Sequence, residues 1–203
     1  MSGNERNIAL LYGHFTTALN MLPSEPLFDR VNEKTYHDNV SSSKEMSMSK
    51  ALDVAKFLLE LAEREDEADR LSHLRLQKLL YYTQGWSLAL RDKAFFKDRI
   101  EAWAHGPVVK NLYPSFASYG NGTISSADFK FEDGLDSEEK ELVEAVWNAY
   151  KKFSATSLRE MSHREKPWKD ARGILKPADK CEEEISHAAM KKFFKSMANR
   201  AEK

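Results

Sequence analysis

Apolar residues recur at helical spacing over most of this chain, and one stretch alternates instead. Leu52, Ala55, Leu58, Leu59 and Ala62 form one stripe of a helix, with Ser49 as N-cap and Asp53 in the first turn. The acidic run at 63–69 reads as a solvated connector. A second helix is expected from Ser72, carrying Leu76, Leu79, Leu80, Thr83 and Leu90 on one face. Gly85 inside it costs about 1 kcal/mol against alanine, so another group is expected to approach closely there. Over residues 99–105 the period changes. Ile100, Ala102 and Ala104 point one way and Glu101, Trp103 and His105 the other, as in a short strand. Gly106-Pro107 is expected to end that strand. Pro107 then opens a helix bearing Val109, Leu112, Tyr113 and Phe116, which Pro114 kinks or interrupts. Gly120-Asn121-Gly122 reads as a turn and 123–125 as a second small strand.

Three more helices follow. Ser137 is expected to cap one with Val143, Val146, Tyr150 and Phe153 inward. Ser157-Leu158-Arg159-Glu160 has capping-box spacing and opens a short one with Leu158 and Met161 inward. Ser186 caps the last, with Ile185 stapled onto Met190 and with Phe193, Phe194 and Met197 along its face. The expected fold over 47–203 is a single compact helical domain, mainly α with a small antiparallel β element (α+β). Residues 1–46 read as an extension. Ile8, Leu11, Tyr12, Phe15, Leu19 and Leu22 suggest an amphipathic helix that Pro23 and Pro26 end, and a polar linker follows. A start of translation at Met46 or Met48 is the other reading of this segment.

Composition narrows the function classes. The chain has 203 residues, 41% hydrophobic and 31% charged, which suits a soluble globular protein. Its net charge of -1 gives no overall attraction for nucleic acid or anionic lipid. With no spanning apolar run, no secretory signal and one cysteine, Cys181 in an acidic run, a cytoplasmic setting is expected. Phosphate loops, nucleophile elbows, H-E-x-x-H and paired cysteines are all absent, and no two of the six histidines stand at i, i+3 or i+4. No catalytic residue, metal or cofactor is therefore assigned. His105 before Pro107, and His163 ahead of Pro167-Trp168, read as turn-fixing histidines. Glu101 alternates onto the face of His105, so a hydrolase using that pair stays open as an alternative. Tyr81 and Tyr82 point about 100° apart, which predicts that one reaches the rim as an interface anchor. Lys191-Lys192, Lys195 and Arg200 form a basic, solvated helix face.

Leu76-Gln77-Lys78-Leu79-Leu80-Tyr81-Tyr82, continuing Gln84-Gly85-Trp86, resembles the signature helix of the Panacea domain. The block Ile100-Glu101-Ala102-Trp103, His105-Gly106-Pro107-Val108-Val109 and Leu112-Tyr113 is similar to its second signature. A third match is Ser162-His163 with Pro167-Trp168 and Ala171-Arg172. The resemblance covers about residues 49–200. It implies a non-enzymatic antitoxin of a prokaryotic or phage toxin–antitoxin system, which binds and neutralises a cognate protein toxin encoded by the adjacent gene. One family member delivers its toxin to a cytoplasmic protease, so a proteolytic adaptor is an alternative. A DNA-binding repressor is disfavoured, because no helix-turn-helix with a basic recognition helix stands out. Candidate partner contacts are Gln77, Tyr81, Tyr82, Trp103, His105, Pro107, His163 and Trp168, with Leu11 and Phe15 on the N-terminal helix.

Overall fold

Helix α1 (Lys50–Glu63) buries the predicted stripe, with Ala55, Leu58, Leu59 and Ala62 in the core and Leu52 at its margin. The structure is a computed structural model that describes residues 50–65, 70–129, 134–176 and 178–201. The expectations for 1–46, for Leu11 and Phe15, and for the Ser49 cap lie outside the described residues.

Helix α2 (His73–Leu90) is the axis of the domain. Ser72 caps it, its Oγ accepting from the Arg75 N–H. The sequence predicts one apolar face, yet every residue from Arg75 to Ala89 is buried, because helices and a hairpin surround α2. Leu90 at its end is instead exposed. Burial on all sides forces the polar residues of α2 to find partners. Gln84 shows how this is met: its Oε1 accepts from the Phe95 and Phe96 N–H groups, and its amide donates to the Phe96 carbonyl.

Strands β1 (Ile100–Trp103) and β2 (Gly106–Val109) pair antiparallel, Ile100 opposite Val109 and Trp103 opposite Gly106, around the two-residue turn Ala104-His105. Gly106-Pro107 thus starts a second strand rather than a helix. Gly106 adopts φ +95°, which glycine alone adopts without strain, so the chain can fold straight back. Residues 183–185 flank β1 on its other edge, Ala102 N–H donating to the Glu183 carbonyl and Ile185 N–H to the Ile100 carbonyl. The segment 123–125 forms no strand; Thr123 makes an isolated bridge to Ser72. After β2 come a 3-10 turn, Lys110–Leu112, and the one-turn helix α3 (Tyr113–Phe116), where Pro114 sits in the first turn and so breaks nothing.

Two caps fall upstream of expectation. Asp136, not Ser137, caps α4 (Ser137–Tyr150): it accepts from Glu139 N–H at 2.8 Å while the Glu139 carboxylate accepts from Asp136 N–H. That reciprocal pair satisfies two end donors where a lone Ser137 would satisfy one. Ser154, not Ser157, caps α5 (Ala155–Arg164), and Ser157 donates its N–H to it. Helix α6 (Lys166–Arg172) has Pro167 in its first turn and ends at Gly173. Helix α7 (His187–Ala201) begins after Ser186, whose Oγ accepts from Ala189 N–H, and lays Met190 and Phe194 into the core. Phe194 is the close approach predicted at Gly85. The architecture is mainly α with one small antiparallel hairpin, as the patterning implies.

Candidate functional site

The three sequence blocks meet where α2 passes beneath the hairpin and the α5–α6 joint. In the first turns of α2, the Gln77 Oε1 accepts from the Val109 N–H at 2.8 Å, and its amide lies 3.2 Å from His73 Nε2. Burial, then the charge of Lys78, lowers His73 to about 4, so the ring is neutral at pH 7. Lys78 is fully buried and its ammonium donates to the Pro107 carbonyl at 2.7 Å. Burial first, and then Arg159, lowers its pKa to about 7. A proline in β2 cannot donate to the ladder, but its free carbonyl anchors the strand to α2. Gly106 also has no room for a side chain: a Cβ would lie 2.7 Å from Lys78 Cε and 2.8 Å from Ser162 Oγ.

One turn further, both tyrosines are fully buried, which corrects the expectation that one reaches the rim. They diverge in direction but converge on one acceptor. Tyr81 donates to Glu165 Oε2 at 2.8 Å and Tyr82 to Oε1 at 3.1 Å. Glu165 stands at the joint between α5 and α6, so this carboxyl locks the joint onto α2. Burial raises it to about 7, opposed by the two tyrosine bonds. Tyr82 stacks on Tyr150 at 4.1 Å, and Trp86 donates to the Tyr150 hydroxyl.

The outer layer is aromatic. Trp103 is half-buried, donates to Glu101 Oε2 at 2.8 Å and lies 4.7 Å from the ring of Tyr113, which is 37% exposed. The buried Trp168 donates to the Trp103 carbonyl at 3.0 Å. His163 stacks on Trp168 at 4.1 Å with an 11° interplanar angle, and the Arg172 guanidinium covers the Trp168 ring. Arg172 also donates to the Ala102 carbonyl, tying α6 to β1. Burial, then Arg159, Lys78, Arg172 and His105, lower the His163 ring to about 4.

The candidate residues therefore divide by depth. Gln77, Tyr81, Tyr82, Pro107 and Trp168 are buried, Trp103 and His163 are half-buried, and His105 is exposed in the turn. The Glu101–His105 alternation stops at Trp103, where the strand ends and the turn begins. Glu101 is buried and engages Trp103, Lys110 at 3.1 Å and Arg99 at 3.5 Å. Sequence reasoning missed Lys78, Arg159, Glu165 and Tyr113 as site residues. Glu165 carried a signal, since it directly precedes Lys166-Pro167, where a helix start is legible. Among the described residues, no three His, Cys, Asp or Glu side chains gather to hold a metal, and no helix is long and apolar enough to cross a membrane.

Residues 76–169 match the family described as antitoxin SocA-like, Panacea domain. The chain is 32% identical over 120 residues to Antitoxin SocA of Caulobacter vibrioides (strain NA1000 / CB15N), a match that takes in 54% of this chain and 63% of that relative. No solved structure matches the chain.

Proposed function

We propose that this chain, whose residues 76–169 belong to the Panacea-domain antitoxin family, is an antitoxin that binds a cognate protein toxin directly and neutralises it. The toxin is the product of the adjacent gene. The observation that carries this reading is the layered junction. Its buried half, Gln77, Lys78, Tyr81, Tyr82 and Glu165, fixes the hairpin and the α5–α6 joint to the central helix. Its outer half leaves Trp103, His105, Tyr113 and His163 together at the surface. Rigidly held aromatic rings at a surface suit a binding hot spot, because little side-chain entropy is lost on contact. Burial keeps His163 neutral at pH 7, and its ring stacks on Trp168, so it presents a flat, fixed surface for contact.

Residues 1–46 are proposed to select the toxin, with the apolar side of the Ile8–Leu22 segment, including Leu11 and Phe15, seated in a groove on it. The test is co-expression. The adjacent reading frame expressed alone should stop growth, and this chain should restore it. A W103A/H105A chain that melts like the parent should fail to restore growth. Full rescue by that variant would move the contact face elsewhere.

A further inference from the structure

Just after α6 the chain turns outward and presents two aliphatic side chains to solvent. The helix ends at Gly173, whose φ of +57° and ψ of -120° only glycine adopts without strain. A Cβ there would meet nothing within 4 Å, so the direction of the backbone, not lack of room, calls for glycine. Ile174 follows, wholly exposed, and then Leu175, 41% exposed. Neither belongs to the core or to the residues packed against it. Exposed aliphatic residues scattered singly are ordinary, but here two stand side by side at the tip of a loop.

A loose loop would fold such side chains back onto the domain, but this one is pinned. The buried Arg172 donates through Nη2 to the Lys176 carbonyl at 2.6 Å and the Asp179 carbonyl at 2.7 Å. Leu175 N–H donates to the Arg172 carbonyl, Lys176 N–H to Asp179 Oδ2 and Asp179 N–H to the Lys176 carbonyl. The same guanidinium also reaches inward. Its Nη1 donates to the Ala102 carbonyl at 2.8 Å, and its plane covers Trp168, which donates to the Trp103 carbonyl. One buried cation thus ties the Ile174 tip to the strand end that carries Trp103, and the two keep a fixed relation. Side chains held out on a fixed backbone lose little entropy on contact. Charge decides between kinds of partner. Positions 166–184 hold five basic and five acidic residues, with Lys166 paired to Asp170 and Lys180 to Glu182. A lipid surface is engaged by an aliphatic tip in a basic rim, and this balanced rim lacks that pull. Aliphatic contact ringed by neutral polar surface is instead the anatomy of a protein interface.

We infer that Ile174 and Leu175 form an anchor that enters an apolar pocket on the cognate toxin, extending the contact face that Trp103 begins. This rests on the antitoxin reading and adds to it a residue pair and the chemistry of the surface that receives them. The family match ends at residue 169, so the anchor lies outside the shared stretch. It therefore sets which toxin is held, not whether the domain folds. Loops on a rigid scaffold are where such choice is made.

The test measures the affinity of the full chain for the purified product of the adjacent gene by calorimetry, with thermal melting of each variant beside it. Ile174→Asp should weaken the complex by about tenfold or more, and Ile174→Val should stay within about threefold of the parent. Both should melt like the parent, because the side chain touches nothing in the fold. Should Ile174→Asp melt early, Ile174→Ser replaces it, with the same loss of affinity expected. A complex that Ile174→Asp leaves unchanged overturns the anchor while the antitoxin reading stands. No complex with the unaltered chain sinks the antitoxin reading, and the anchor falls with it. Two further measurements use the chain alone: sedimentation over a range of concentrations, and pelleting with phosphatidylglycerol vesicles. Self-association or vesicle binding that Ile174→Asp abolishes would give the tip to a second copy or to lipid, and either result overturns the anchor.

Discussion

Gly85→Ala should destabilise this protein although it puts the best helix former into the middle of a helix. By propensity alone the change stabilises α2 by about 1 kcal/mol. A Cβ at Gly85, however, would fall against the Phe194 ring, nearest Cε2 and 2.5 Å from both Cδ2 and Cζ. Carbon atoms rest about 3.5–4.0 Å apart, so the ring would have to withdraw by roughly 1–1.5 Å. It has nowhere to go. Phe194 is fully buried, with Tyr81, Trp86 and Phe193 at centroid distances of 5.7, 5.3 and 5.3 Å. Overpacking of this kind costs about 1–3 kcal/mol and occasionally more, and here the contact is with a caged ring rather than a flexible tip. Net of the propensity gain, a loss of up to about 2 kcal/mol is expected, read as a lower urea midpoint with unchanged slope. Gly85→Ala combined with Phe194→Leu should be less destabilised than the sum of the two single changes, because the shortened side chain vacates the clash. If Gly85→Ala instead raises stability by about 1 kcal/mol, α7 does not pack on α2 in this way and the reasoning fails.

Gly106→Ala should lose about 2–4 kcal/mol, from a left-handed backbone and a collision with Lys78 and Ser162, and should impair toxin binding through a displaced hairpin; urea unfolding beside a binding assay checks both. Stability should also rise from pH 7 towards 10. Lys78 titrates near 7 when folded but near 10.5 when unfolded, so in this window the unfolded chain binds the extra proton, giving a slope of up to about 1.4 kcal/mol per pH unit that Lys78→Met removes. Glu165 acts oppositely: its raised pKa contributes stability that is full below 4.5 and lost as pH rises through 7, so the wild type should lose ground against Glu165→Gln over that range. A chain starting at Met48 should melt cooperatively yet bind its toxin more weakly; aggregation would show that the preceding residues belong to the core.

The helices were legible because their cores repeat at 3.6 residues, and Gly85 was legible because a glycine in a helix interior needs a reason. The hairpin was half legible. Alternation revealed β1, but β2 holds only four residues, and its Gly-Pro start is equally the signature of a helix N-terminus. Local pattern cannot separate the two readings, since the decision rests on Lys78 and Gln77 reaching β2 from a helix about thirty residues away. Tyr81 and Tyr82 failed for a similar reason. Adjacency on a helix predicts that they diverge, but the shared acceptor Glu165 lies over eighty residues on, where no spacing rule connects them. The caps, Asp136 and Ser154, lie one and three residues before the serines that the pattern points to, a difference that periodicity does not resolve.

The most direct test of the central claim is a titration of the purified chain against the purified product of the adjacent gene, with toxin activity measured at each molar ratio. Direct neutralisation predicts a stable complex and protection that completes near one equivalent of chain per toxin. Trp103→Ala with His105→Ala should weaken that complex, and His105→Gln alone should not turn protection off. No complex at any ratio, or complete protection far below one equivalent that His105→Gln abolishes in a folded chain, would contradict it.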